Sequence, residues 1–306
     1  MQSNETIYVL GAGAVGFPLA VNLTKAGRRA VAVRTSRRDV PWQTAIVTLQ
    51  DGEQHTSAEV ETVSLDRLEQ VQGILAVTAK ANANEAIARA LKEKGARGPL
   101  VVMQNGLGVE KPFLEAGFSQ LYRCILYLTA EVTAEHTVSF RPVTPMPTGI
   151  VEGDETGLEQ IVTALHTEGF PFRREANIQR EIWKKAIINS VFNSICPLLD
   201  VDNGIFARDE AAEEMAREVV RECVELTDRL GLGLGESELM AQLLLISRRS
   251  DGQLISTLQD IRAGRPTEIA YLNLEIARVA ASQQPPLAAP RTALLGRMIL
   301  MKAASA

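Results

Sequence analysis

Apolar residues in the first half of the chain come in short unbroken runs separated by helix-length stretches. Ile7-Tyr8-Val9-Leu10 stops at glycine, and Ala30-Val31-Ala32-Val33, Ile74-Leu75-Ala76-Val77 and Leu100-Val101-Val102-Met103 follow. Runs that are apolar at every position suit strands buried on both faces between helical layers. Between the first two runs, Val15 to Ala26 reads as a helix closed by Gly27, because glycine takes the left-handed C-cap conformation without a steric cost. The β-α-β order predicts an α/β Rossmann domain, doubly wound around a mostly parallel sheet. From Leu121 to Val151 the pattern stays β-rich but is interrupted by Pro142, Pro145 and Pro147, and an antiparallel edge is expected there.

From about Glu175 onward the period changes. Met215, Val219, Cys223, Leu226 and Leu230 recur at steps of three and four, the stripe of an amphipathic helix, and Gly231-Leu232-Gly233-Leu234-Gly235 ends it. Further helical stretches are expected near Glu236 to Arg248, Ile255 to Ala263 and Thr267 to Ser282. An all-α C-terminal domain therefore follows the first. The boundary falls near residues 165 to 178, giving domains of 1–170 and 171–306.

Composition narrows the function classes. The 306 residues carry a formal net charge of -5, which argues against a nucleic-acid partner needing a clustered basic face. A locally basic pocket for a small anion stays open, because the field depends on where charges stand. Cys124, Cys196 and Cys223 form no close pair and read as reduced, buried thiols. His55, His136 and His166 lack metal-ligand spacing, so no metal is expected. Met1 to Thr6 show no basic stretch leading into an apolar core, and no apolar window is long enough to span a membrane. The default expectation is a cytoplasmic protein, with a homodimer open as its assembly.

Gly11-Ala12-Gly13-Ala14-Val15-Gly16 matches G-x-G-x-x-G between a predicted strand and a predicted helix, the context a dinucleotide site requires. Gly11 would permit the tight turn, Gly13 the approach of a pyrophosphate, and Gly16 close helix–strand packing. The helix N-terminus then offers N–H groups to the phosphates. After the second strand comes Arg34-Thr35-Ser36-Arg37-Arg38, with no acid before Asp39. A carboxylate there would accept from a free ribose hydroxyl, whereas guanidinium groups pair with a 2′-phosphate, so NADP(H) is expected. Lys80 and Asn105 close the next two strands at the carboxyl edge, where ligands of open α/β sheets sit. An Asn-Gly turn such as Asn105-Gly106 also serves purely structural ends.

Trp183-Lys184-Lys185-Ala186-Ile187-Ile188-Asn189-Ser190-Val191-Phe192-Asn193 carries the second set of polar groups. Lys185, Asn189 and Asn193 are spaced by four and share one helix face, while Lys184 stands about 100° away. Hydride delivery to a ketone builds negative charge on oxygen, and an ammonium group that can also give a proton stabilises that transition state.

With these motifs in place, the chain resembles the ketopantoate reductase family over nearly its whole length. The resemblance is carried in order by the glycine motif, Arg34, Val77-Thr78-Ala79-Lys80, Gln104-Asn105-Gly106-Leu107-Gly108 and Trp183-Lys184-Lys185 with its asparagines. Asn203-Gly204, Ser256-Thr257-Leu258-Gln259-Asp260-Ile261-Arg262 and Pro266-Thr267-Glu268-Ile269 complete it. It implies NADPH-dependent reduction of ketopantoate to pantoate, on the route to pantothenate and coenzyme A. Lys185 is implied as general acid, and Glu268 as the carboxylate orienting that lysine and the cofactor ribose. Asn189, Asn193, Asn203 and Ser256 are implied as groups holding the substrate, with Asn105 near the nicotinamide and Ala130 as a further cofactor contact.

Three departures stand out. Gln253 takes the place of a substrate-binding asparagine. The stretch Ala134 to Thr148 carries prolines where the family has glycines, and Arg291 stands for an asparagine. The competing expectations are reduction of a different 2-oxo acid and, in another class, a non-catalytic NADP(H)-sensing protein.

Overall fold

A computed structural model describes residues 5–305. Residues 1–4, on which part of the amino-terminal reading falls, lie outside the described residues. Two compact units emerge: one comprises Met1–Gln104 and Val109–Ile178, the other Asn105–Gly108 and Gln179–Ala306.

The first unit is built on β1 (Ile7–Leu10), α1 (Gly16–Lys25), β2 (Ala30–Arg34), β3 (Gln43–Asp51), β4 (Gln54–Ser64), β5 (Ile74–Val77), α2 (Asn84–Glu93) and β6 (Leu100–Val102). It continues through α3 (Lys111–Glu115), β7 (Leu121–Cys124), β8 (Leu128–Ala134), β9 (Thr137–Pro142), β10 (Met146–Glu152), α4 (Glu155–Leu165) and β11 (Phe172–Arg174). The eleven strands form one sheet in the order β11-β10-β7-β6-β5-β1-β2-β4-β3-β9-β8. Strands β7, β6, β5, β1, β2 and β4 run parallel. All four residues of β1 and of β5 are buried, as a strand covered on both faces requires. Helix α1 ends as expected, with Ala26 as C-cap and Gly27 at φ 74°.

Two features differ from the sequence reading. The hairpin β3–β4 was not anticipated, because its strands alternate polar and apolar residues instead of forming unbroken runs. Ala45, Val47 and Leu49 point inward, and Gly52-Glu53 makes the turn, with Gly52 at φ 59°. The Leu121–Val151 stretch is not a single antiparallel edge. Fully buried β7 joins β6 in parallel and β10 pairs antiparallel beyond it, whereas half-exposed β8 and β9 close the opposite end of the sheet. The outer strands bend round α1, so that Phe17, Leu19 and Val21 share a core with Val47, Val60, Val138 and Phe140.

The second unit contains α5 (Ile178–Leu199), α6 (Ile205–Arg208), α7 (Glu210–Arg229), α8 (Glu236–Arg249), α9 (Ser256–Arg262), α10 (Asn273–Ala281) and α11 (Pro290–Ala304). Asp209 caps α7 by accepting from Ala212 N–H at 2.9 Å. The α7 stripe is centred differently from the sequence expectation: Ala212, Ala216, Val219, Cys223 and Leu226 are buried, while Met215 is exposed. Thr267 to Ser282 is not one helix. A 3-10 turn at Ile269–Tyr271 leads to Leu272 at φ -112°, ψ -103°, and α10 begins only afterwards. Arg291 sits at the start of α11 in ion pairs with Glu218 and Glu222. Cys124, Cys196 and Cys223 are buried thiols outside any disulfide. Among the described residues, no helix is long and apolar enough to cross a membrane, and no cluster of potential metal ligands forms.

Candidate functional site

In the first unit, the β1–α1 turn lies against the carboxyl end of β5. Gly11 takes φ 128°, and a Cβ there would overlap the backbone of Ala79. A Cβ on Gly16 would overlap the Gly11 carbonyl oxygen and stand 2.7 Å from Thr78 Oγ1. That hydroxyl donates to Gly11 O at 2.9 Å, while Thr78 N–H and Ala79 N–H both donate to Leu10 O at 2.9 Å. Gly13 differs: a Cβ there would meet nothing within 4 Å, so the space beside the turn is open. No acidic residue occupies the first turn of α1, and its N-cap position, Val15, makes no side-chain cap. Ala12, Ala14 and Val15 are half-buried along the turn. An open backbone concavity at an uncapped helix start is a fitting seat for a pyrophosphate.

At the end of β2, Arg34 is half-buried, with its guanidinium carbon 5.7 Å from the centre of the Phe17 ring. Burial lowers its pKa first, and neighbouring Arg37 lowers it further against the opposing charge of Glu135. Arg37 pairs with Glu135 at 3.9 Å, and Asp39 is taken up by Arg67 at 3.1 Å. Exposed Lys80 stands three residues beyond β5. Beneath it, Asn84 and Gln104 exchange side-chain amide bonds at 2.7 and 2.8 Å, and Gln104 Nε2 also donates to Ala79 O. Arg123, fully buried on β7, pairs with Glu110 and donates to Gln104 O at 3.2 Å. These supports were not singled out from sequence, although Asn84 and Gln104 flank the two recognised strand ends. Ala130 lies in β8 opposite Phe140, five strands from β1 in sheet order, and packs on the core.

In the second unit, Lys185 and Asn189 are half-buried on α5. Lys184, on the other face, donates to Glu238 Oε1 at 2.9 Å. Asn193 is buried, and its amide is engaged within the protein. Its Oδ1 accepts from Thr257 Oγ1 at 2.7 Å and from Thr257 N–H and Ser256 Oγ at 3.3 Å; its Nδ2 donates to Asn189 O at 2.9 Å. Asn193 thereby anchors the start of α9 and places Ser256, which is itself exposed.

Asn203 is buried, its N–H donates to Gln253 O at 2.9 Å, and its Oδ1 has no hydrogen-bond partner. Gln253 holds that segment through its backbone, and the residue is exposed. Asn105 Nδ2 donates to Glu268 Oε2 at 3.2 Å, joining two expected site residues 163 positions apart. The turn behind Asn105 is fixed by Leu107 N–H donating to Tyr271 O at 2.8 Å. Gly106, at φ 94°, lies so near Tyr271 that a Cβ would come within 2.6 Å of its side chain.

Comparison with known proteins follows the same division. A family model described as ketopantoate reductase PanE/ApbA matches residues 7–149, and its C-terminal counterpart matches residues 177–303. The 2-dehydropantoate 2-reductase of Pyrococcus abyssi is 29% identical over 97% of this chain and 98% of its own. That of Archaeoglobus fulgidus is 24% identical over 88% of each. Among solved structures, D-mandelate dehydrogenase with NADH and anilino(oxo)acetate superposes with TM-score 0.87 at 19% identity, covering 98% of both chains. Dimeric ketopantoate reductase from Staphylococcus aureus gives 0.82 at 17% identity over 98% of this chain and 99% of its own. At these identities the structural likeness concerns the fold.

Proposed function

The chain belongs to the ketopantoate reductase family, a family of oxidoreductases, and from that premise we propose that it reduces 2-dehydropantoate to pantoate with NADPH. The observation that carries the reading is the pairing of Asn105 with Glu268, a nicotinamide-side asparagine bonded to the carboxylate expected at the catalytic centre. The open space at Gly13 and the acid-free end of β2 at Arg34 support a phosphorylated dinucleotide. The cofactor supplies the hydride. Lys185 Nζ holds the proton that passes to the substrate's carbonyl oxygen as it becomes an alkoxide, and its charge stabilises that oxygen beforehand. Glu268 orients the lysine and the ribose. Asn189 and Ser256 hold the substrate's polar groups, with Asn193 keeping Ser256 in place. The unpartnered Asn203 Oδ1 suits a donor such as the substrate hydroxyl, since a buried acceptor left empty costs about 1–3 kcal/mol. Arg34 and Lys80 take the 2′-phosphate.

A second reading, reduction of a different 2-oxo acid, is favoured by Gln253, which is longer than the asparagine the family resemblance implies there. One experiment separates the readings: loss of NADPH absorbance with a panel of 2-oxo acids ranked by kcat/KM. Ketopantoate at the head of the ranking supports the first; an aryl or another branched 2-oxo acid at the head replaces it. Cofactor binding without turnover on any of them turns the chain into a sensing protein. The assembly proposed is a homodimer in the cytoplasm, as α11 exposes Leu294, Met298, Leu300 and Met301; light scattering of the purified protein tests the stoichiometry.

A further inference from the structure

The turn between β8 and β9 brings one side chain to the end of β2. His136 forms the β8–β9 turn with Glu135, and its Nε2 lies 2.7 Å from Arg34 Nη2. Arginine can only donate, so the imidazole nitrogen accepts. The same ring meets Phe17 edge-on, with centroids 5.6 Å apart and planes at 87°, and Phe17 also lies under the Arg34 guanidinium. Arg34 is therefore fixed from two sides, by an aromatic face and by an acceptor. His136 is itself held, because its carbonyl accepts from Thr48 N–H at 2.9 Å where the outer strands bend round α1.

The backbone makes this placement more telling. His136 adopts φ 58°, the left-handed region in which a side chain other than glycine costs roughly 1–2 kcal/mol. A glycine would serve the turn better, yet a histidine stands here and hands its ring to Arg34.

We propose that His136 is a positioning residue for cofactor discrimination: by accepting from Arg34 it holds the guanidinium ordered, with its remaining donors free for a 2′-phosphate. The proposal rests on the NADPH reading. Arginine carries about 2 kcal/mol of rotamer entropy, and a side chain already ordered loses less of it when it grips a phosphate. Glu135 and Arg37 are the other charged groups beside this pair, and their 3.9 Å contact is exposed on both sides.

The test is a binding cycle, with dissociation constants for NADPH and NADH measured by calorimetry on the wild type, Arg34→Ala, His136→Gly and the double variant. Glycine suits the left-handed turn, so the hairpin keeps its geometry, and NADH affinity reports on the fold. The expected result is an NADPH affinity about tenfold weaker in His136→Gly, the scale of a hydrogen bond to a charged group, with NADH changed less than about twofold. In the Arg34→Ala background, His136→Gly should add nothing. Unchanged NADPH affinity in His136→Gly overturns the proposal. So does equal weakening of both cofactors, or a full effect persisting without Arg34. Where Arg34→Ala weakens both cofactors alike, the 2′-phosphate reading itself fails; where Arg34→Ala behaves as expected and His136→Gly is silent, only the role of His136 fails.

Discussion

The working surface proposed at the β1–α1 turn is backbone, whereas the one proposed on α5 is side chains, and the two regions should tolerate change differently. Gly11 and Gly16 are required because main chain passes where a Cβ would be, and Gly13 because space is left beside it. On α5 the same four-residue step that gathers Lys185, Asn189 and Asn193 on one face also serves the protein's own architecture, since Asn193 caps α9. A backbone site thus separates folding from binding by position in the turn. A side-chain site mixes the two within one residue.

The sharpest way to break this comparison is at the turn. Gly16→Ala must displace the Gly11 carbonyl, which is backbone and cannot swing aside, so the loss should exceed the roughly 1–3 kcal/mol of an ordinary overpacked site. Gly13→Ala meets no atom, and its melting temperature should stay at the wild-type value while NADPH and NADH both bind about tenfold or more weakly. Thermal unfolding alongside cofactor titration checks both variants. A stable Gly16→Ala protein, or a Gly13→Ala protein with full affinity, would show that the turn does not divide its work this way.

Next in size is the lysine pair. Lys185→Ala should lower kcat by at least about a hundredfold, the range for a removed general acid, or about 2.7 kcal/mol in barrier. Lys184→Ala loses only its partly exposed ion pair with Glu238 and should keep kcat within about threefold. Equal losses in steady-state assays would refute the assignment of chemistry to one face of α5.

Asn193→Ala sharpens the point about mixed roles. It strips the acceptor shared by Thr257 Oγ1, Thr257 N–H and Ser256 Oγ, so a stability loss of about 1–3 kcal/mol in urea unfolding is expected. Asn189→Ala, whose side chain is half-buried, should cost well under about 1 kcal/mol and act on KM instead. If Asn193→Ala leaves stability untouched, its bonds to α9 are incidental.

How far the chain could be read in advance follows the same contrast. The glycine turn and the buried strands β1, β2, β5 and β6 were legible because each is specified within a few consecutive residues. The β3–β4 hairpin escaped because half-buried strands alternate, and Ala45, Val47 and Leu49 do not form a run. The break at Leu272 was hidden because apolar spacing continues through it while the backbone turns. The periodic face of α5 was visible, yet nothing local reveals that Asn193 meets Thr257 or that Asn105 meets Glu268, since both contacts span long stretches of chain. The Asn105–Glu268 pairing could be anticipated only through family resemblance. His136 beside Arg34 escaped too, because the two stand 102 positions apart and no local pattern links them.

The last contrast, one that depends on pH, concerns the loop that presents Asn203, where a carboxylate holds backbone as glycine lets it pass at the β1–α1 turn. Asp202 Oδ1 accepts from Gly204 N–H at 2.7 Å and from Gly252 N–H at 3.1 Å, and Oδ2 accepts from Arg208 at 2.8 Å. The Arg208 hydrogen bond foremost, with the two backbone donors, holds its pKa down from 3.8 to about 2. A carboxyl depressed in the folded state contributes stability above its unfolded pKa, and that contribution is lost as pH falls through the folded value. Discounted for the solvent exposure of Arg208, the shift corresponds to about 1–2 kcal/mol. Asp202→Asn keeps an oxygen for the two N–H groups and removes the charge, so it should be less stable than wild type by that amount at pH 7. The gap should close between about pH 4 and pH 2. Urea unfolding of both proteins across this range decides the matter, because a gap that stays constant into acid would mean that the charge on Asp202 does not hold the loop.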